Sequence, residues 1–192
     1  MVQALFTGGV GIYGFYALQP YLLELYGDPN AYQIAGLVAA IVAGAQILGG
    51  IAAPHVRGLF RRRTSALLAI AALDTLTLLA VGLAESFAAV IGLTAAWGLL
   101  FAAGNPIRQA YLNALIPSEQ RATILSFDSL MSSSGGVWTQ PVLGRSADVW
   151  GYGPSYLLAA GISALALPFL GLSRRYDASR ATRAMSPASQ SI

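Results

Sequence analysis

Long charge-free stretches separated by short polar breaks set the pattern of the chain. Residues 1–23, 31–56, 86–107 and 149–173 contain no Asp, Glu, Lys or Arg. A run of about 18 or more apolar residues is long enough to cross a ~30 Å hydrocarbon core as a helix, whereas buried strands would need turn signals every few residues. Two further stretches carry one acid each, Asp74 and Asp128, and are otherwise apolar or small. The pattern predicts six helices, at roughly 2–25, 31–55, 64–84, 86–115, 121–143 and 154–173. Turn clusters fall between them: Gly27-Asp28-Pro29-Asn30, Ile116-Pro117-Ser118-Glu119 and Gly151-Tyr152-Gly153-Pro154.

Composition carries this from apolar helices to a membrane. Hydrophobic residues make up 56% of the 192 and charged residues only 10%, against about 25% charged in soluble domains; the mean hydropathy is +0.61. The fold class expected is all-α, a polytopic membrane protein with six transmembrane helices. The first run lacks a basic leader and exceeds a signal-peptide core, so it reads as a retained span. Residues 1–173 form the membrane domain. Residues 174–192, rich in Ala, Ser and Arg, read as a disordered cytoplasmic tail.

Charge then gives orientation. All 11 basic residues are Arg. Nine of them, Arg57, Arg61, Arg62, Arg63, Arg121, Arg174, Arg175, Arg180 and Arg183, fall on one side of a six-span chain, and Arg145 alone on the other. The Arg-rich side is assigned to the cytoplasm, with both termini. Tyr21, Tyr26, Tyr32, Trp150 and Tyr152 then mark the outer interface. This placement explains the net charge of +3 without a nucleic-acid partner; the partner expected is the lipid bilayer. A gapless offset of 90 residues superposes helices one to three on four to six and matches Tyr21-Leu22 with Tyr111-Leu112, and Ser65, Leu67-Leu68-Ala69 with Ser155, Leu157-Leu158-Ala159. An odd number of spans per copy makes the second copy inverted, as in many transporters.

Polar groups inside a span each call for a reason. Trp97, Phe101, Asn105 and Arg108 recur at helical spacing on one face of the fourth span; they line a cavity, or the rings face lipid while Arg108 snorkels to the interface. Asp128, Ser132, Gly135 and Thr139 form a stripe on the fifth span, explained by solute binding or by close helix packing. On the first span Tyr13, Tyr16 and Pro20 share a face with Gln19 beside it, as substrate contacts or as ordinary packing. Gln46 is a weaker candidate of the same kind. Arg108 and Asp128 lie nine residues before and eleven after Pro117, at matching depths, and are expected to pair. Asp74 reads as a structural acid, with proton coupling as its alternative. There is no Cys, His55 has no ligand-type neighbours, and no Gly-Lys-Ser/Thr phosphate loop occurs. No metal, cofactor or catalytic residue is expected.

One segment runs from Asn105-Pro106-Ile107-Arg108-Gln109-Ala110-Tyr111-Leu112-Asn113 into Ile116-Pro117-Ser118-Glu119-Gln120-Arg121-Ala122-Thr123. With Pro141-Val142-Leu143-Gly144-Arg145-Ser146-Ala147-Asp148 it resembles the tenth and eleventh helices of the major facilitator superfamily. Gly50, Gly58 and the Arg cluster at 61–63 sit where that family has its loop signature, with Pro54 in place of the acid. The resemblance, to the C-terminal six-helix half, covers nearly the whole chain. It implies half of a secondary transporter: two inverted three-helix repeats moving a small solute by alternating access across the cytoplasmic (inner) membrane. A complementary six-helix half or a second copy would complete it. It also implies that the fourth span lines the cavity and that the third is peripheral support. The alternative is a non-transporting relic, assembly factor or regulatory module.

Overall fold

The structure, a computed structural model, describes residues 2–184, with side chains placed through 176. Seven α-helices follow one another: α1 Val2–Tyr26, α2 Tyr32–Gly58, α3 Arg63–Leu83, α4 Phe87–Leu115, α5 Arg121–Trp150, α6 Tyr152–Ala164 and α7 Leu167–Ala184. A 3₁₀ turn, Ser118–Gln120, joins α4 to α5. Helices dominate because each satisfies its own backbone polar groups, which hydrocarbon does not do for a chain segment. By length and composition, four helical runs among the described residues can cross a membrane: α2, α3, α4 and the α6–α7 run Tyr152–Tyr176. α1 and α5 are as long but richer in Gly, Ser and Tyr, and they pack chiefly against each other.

Three departures from the expected boundaries have local causes. The sixth helix breaks at Leu165–Ala166, where the chain closes with Ala166 N–H donating to the Ser163 carbonyl at 3.0 Å. Pro168 in the next turn lacks an N–H and its ring would meet the Ala164 carbonyl of a continuous helix. The fifth helix absorbs Pro141 and runs on to Trp150 rather than 143; Gly151, at φ 90°, ends it in a conformation that favours glycine. α7 continues to Ala184, so residues 174–184, expected to be disordered, are helical. Ala and Arg are good helix formers, and a low apolar content alone does not unfold such a segment. Residues 185–192 of the expected tail lie outside the described residues.

Short connections reverse the chain at each end. At the Arg-rich end Arg63 Nη1 donates to the Ala110 carbonyl at 2.8 Å, tying the start of α3 to the end of α4. At the other end the Tyr21 hydroxyl donates to the Ala84 carbonyl at 2.9 Å, tying α1 to the end of α3. α2 packs on α4, α1 on α5, and α3 against both α4 and α6. Small residues permit these approaches: a methyl on Gly49 would overlap the Leu99 backbone of α4, and one on Gly135 the Leu5 carbonyl of α1. Two buried hydroxyls bond within their own helix, Thr139 on the Gly135 carbonyl at 2.8 Å and Thr94 on that of Val90. The core has two parts. A larger one around Leu18, Leu22, Val38, Val81, Val90 and Tyr156 fills the end away from the arginines. A smaller one, Ala53, Ala66, Leu67, Ile70, Ile107 and Leu170, lies toward them. Leu37, Ile47, Ile51, Leu73 and Leu76 point outward, as expected of a surface solvated by lipid.

Candidate functional site

Beyond the Pro117 turn α4 and α5 do not pack on each other extensively, and a long side chain of α4 reaches across to an acid of α5. Arg108 Nη2 donates to both Asp128 carboxylate oxygens, at 2.8 Å each. The Asp128 side chain is 8% exposed and that of Arg108 22%, so the pair is shut in on the acid side and opens on the arginine side. What it opens onto is a cavity of about 220 Å³ between α1, α3, α4 and α5. Phe101, Asn105 and Arg108 come from α4, Ser132 from α5, and Gln3 and Thr7 from α1. Leu67, Ile70 and Ala71 of α3 supply an apolar wall. A second hollow of about 300 Å³ continues from it, sharing Gly8, Gly11 and Phe101 and reaching Tyr16, Gln46 and Trp97.

The α1 glycines make room for the α4 aromatics. A Cβ on Gly11 would stand 3.1 Å from the Phe101 ring, and one on Gly14 3.2 Å from that of Trp97. The two rings stack at 5.7 Å and 30°, giving a flat shelf along the groove. A shelf of π-faces, amide and hydroxyl groups and a half-buried guanidinium can orient a small polar solute by stacking and hydrogen bonds. No nucleophile is paired with a base here. Among the described residues no three His, Cys, Asp or Glu side chains come together.

The structure brings together Trp97, Phe101, Asn105, Arg108, Asp128 and Ser132, with Tyr16 at the far end. Trp97 is 3% exposed and does not face lipid. Arg108 is held by Asp128 and does not snorkel outward. Tyr13 is set apart from Tyr16, against the expectation of one shared face. Tyr13 is buried with its hydroxyl on Ser155 Oγ, which in turn donates to the Leu143 carbonyl at 2.7 Å; it ties α1 to α6. Tyr16 is 71% exposed. Gln19 is half-buried and lines neither hollow. The third helix is not merely peripheral, since its residues wall the cavity. One turn beyond Ile70 and Ala71, Asp74 Oδ1 is shut off from solvent without a hydrogen-bond partner among the described residues. Gln3 and Thr7 were not anticipated. Their spacing with Gly11, at i, i+4 and i+8, carries the signal, because it continues the glycine face of α1.

A family model of the Major Facilitator Superfamily matches residues 1–191. The chain belongs to the Major Facilitator Superfamily. Comparison with curated proteins gave no match. Members of the superfamily are transporters rather than enzymes, and they move small solutes across lipid bilayers. The chain is accordingly a multi-pass membrane protein with a transporter-type function. The paired Arg108 and Asp128 and the Trp97–Phe101 shelf line the interhelical groove of a superfamily fold.

Proposed function

We propose that this six-helix unit is one half of a secondary active transporter. In this reading α1, α4 and α5 form one wall of a solute pathway worked by alternating access. The observation that carries it is the Arg108–Asp128 pair opening onto the interhelical cavity, because a packing interface needs neither charge. Trp97 and Phe101 would stack on the solute, while Asn105, Ser132, Gln3 and the free N–H groups of Arg108 would orient it. Asp128 would hold the guanidinium in place and balance its charge. A proton or an anionic group on the solute can compete for one partner, which gives the pair a means of responding to occupancy.

Packing supports two inverted three-helix repeats. Exchanging α1 with α4, α2 with α5 and α3 with α6 turns the α2–α4 packing into the α5–α1 packing and leaves α3–α6 unchanged, and these are among the most extensive interfaces. The exposed groove side of α1, α2 and α4 would then face a second six-helix unit, whether from the same polypeptide, a separate chain or a second copy. The cytoplasmic (inner) membrane, with the Arg-rich end inward, is the proposed location.

The chain has no Cys, which offers a direct test. In the full transporter in intact membranes, Asn105→Cys should react with a water-soluble maleimide, and imposed gradients or transported solute should change its rate. Leu76→Cys, outward on α3, should stay unreactive. Protection of Asn105→Cys from both sides under all conditions would sink the hydrated-cavity reading.

A further inference from the structure

At the Arg-rich end an open hollow of about 450 Å³ lies between α2, α3 and α4. It shares no lining residue with the cavity at Arg108. Gly50, Pro54, Pro106 and Ile107 form its walls, and Arg57 and Arg63 stand at its rim. Each guanidinium is anchored by one backbone bond. Arg57 Nη1 donates to the Phe60 carbonyl at 2.7 Å, and Arg63 Nη1 to that of Ala110 at 2.8 Å. An arginine has five N–H donors, so most of each fork is left over. Neither arginine meets a carboxylate among the described residues, and residues 29–73 contain no acid at all.

The walls tell what accompanies the anion. Gly50 has open space where a Cβ would stand. Its carbonyl has lost its i+4 donor, because Pro54 has no N–H, so a hydroxyl entering the hollow finds an acceptor. Ile51 and Ile47, three and seven residues before Pro54 and so on its face of α2, are each 65% exposed and extend an apolar stripe from the hollow toward mid-span. We infer that this hollow is a binding site for an anionic phospholipid. The phosphate sits between Arg57 and Arg63, the glycerol lies against Gly50 and Pro54, and an acyl chain follows Ile51 and Ile47. A free phosphate would use the two arginines but leave the apolar walls in water. A zwitterionic lipid would bring an ammonium toward a cluster that also holds Arg61 and Arg62. Basic clusters at the end of a span favour anionic headgroups for this reason.

The test is native mass spectrometry of the full protein in detergent, supplied with phosphatidylglycerol, phosphatidylcholine or inorganic phosphate. One phosphatidylglycerol should be retained per chain in preference to phosphatidylcholine, and millimolar phosphate should not displace it. Arg57→Gln with Arg63→Gln should weaken retention by roughly fivefold per arginine, about 25-fold together. Arg61→Gln with Arg62→Gln, away from the hollow, should weaken it less. Gly50→Leu keeps every charge and fills the hollow; it should abolish retention and so separates a built site from general attraction. Equal losses from both arginine pairs, unchanged retention in Gly50→Leu, equal retention of phosphatidylcholine, or displacement by phosphate alone would each overturn the assignment.

Discussion

A guanidinium inside an apolar span costs about 2.5–3.5 kcal/mol on insertion scales, and an aspartate a similar amount. Arg108 and Asp128 offset much of this through two charge-assisted bonds of 2.8 Å each. Removing one partner leaves the other charge buried and uncompensated, which typically costs about 3–5 kcal/mol, whereas removing both costs less. Arg108→Gln and Asp128→Asn should therefore each lower the thermal unfolding midpoint in detergent, and the double variant should lose less than the two losses added. A coupling of about 1 kcal/mol or more is expected from a direct pair; strict additivity would mean that the two charges act independently. The pair was legible because equal depth from the Pro117 turn follows from helical rise alone. The roles of Tyr13 and Gln19 were not. A residue's partner on a neighbouring helix is fixed by packing, and α1 carries polar groups on both its α5–α6 side and its groove side. Tyr13 went to Ser155 and Tyr16 to the groove, though they are only one turn apart.

Helix contacts here depend on which glycine faces which neighbour, and adjacent positions on α2 show the contrast. A side chain at Gly49 would run into the Leu99 backbone, while one at Gly50 would point into open space. Gly49→Leu should force α2 away from α4 at a cost of about 1–3 kcal/mol or more, and Gly50→Leu should fold normally. Size-exclusion profiles and melting temperatures of the two variants check this; equal behaviour would show that α2 does not approach α4 as closely as described. Most elements could be read from the chain because charge-free runs and turn clusters mark where a helix can begin and end. Two of the missed boundaries arose where one residue type has two effects. Pro141 is absorbed within α5 while Pro168 breaks the run between α6 and α7, and the apolar pattern around them does not distinguish the two. Gly151 is a terminator because its φ is 90°, whereas Gly135 and Gly136 in α5 are packing surfaces. The Gly, Ser and Tyr residues of α1 and α5 belong with their groove-lining and mutual packing.

For the molecule as a whole, charge asymmetry and fold make one joint claim about orientation. Arg57 in the last turn of α2, Arg61 and Arg62 in the loop and Arg63 at the start of α3 crowd one face, and the end of α3 leads through Ala84 and Glu85 to the opposite face. Positive residues in short loops are retained on the cytoplasmic side, while acids contribute little to the bias. The α2–α3 loop should therefore be cytoplasmic and the α3–α4 loop external. Leu59, 81% exposed, and the exposed Glu85 are single positions on the two faces, and residues 1–192 contribute no native Cys to the labelling. In sealed right-side-out vesicles, Glu85→Cys should react with a membrane-impermeant maleimide, and Leu59→Cys should react only after permeabilisation. The reverse pattern would invert the molecule and place the Arg57–Arg63 hollow in the outer leaflet. Labelling of both in sealed vesicles would mean that α3 does not cross the bilayer. The expected pattern fixes α3 as a full span, and the short connections on either side of it then set α2 and α4 across the membrane as well. That arrangement puts the Arg108–Asp128 pair toward the cytoplasmic third of the bundle and Tyr16 and Gln46 toward its middle, the depth range a solute would traverse between the two sides.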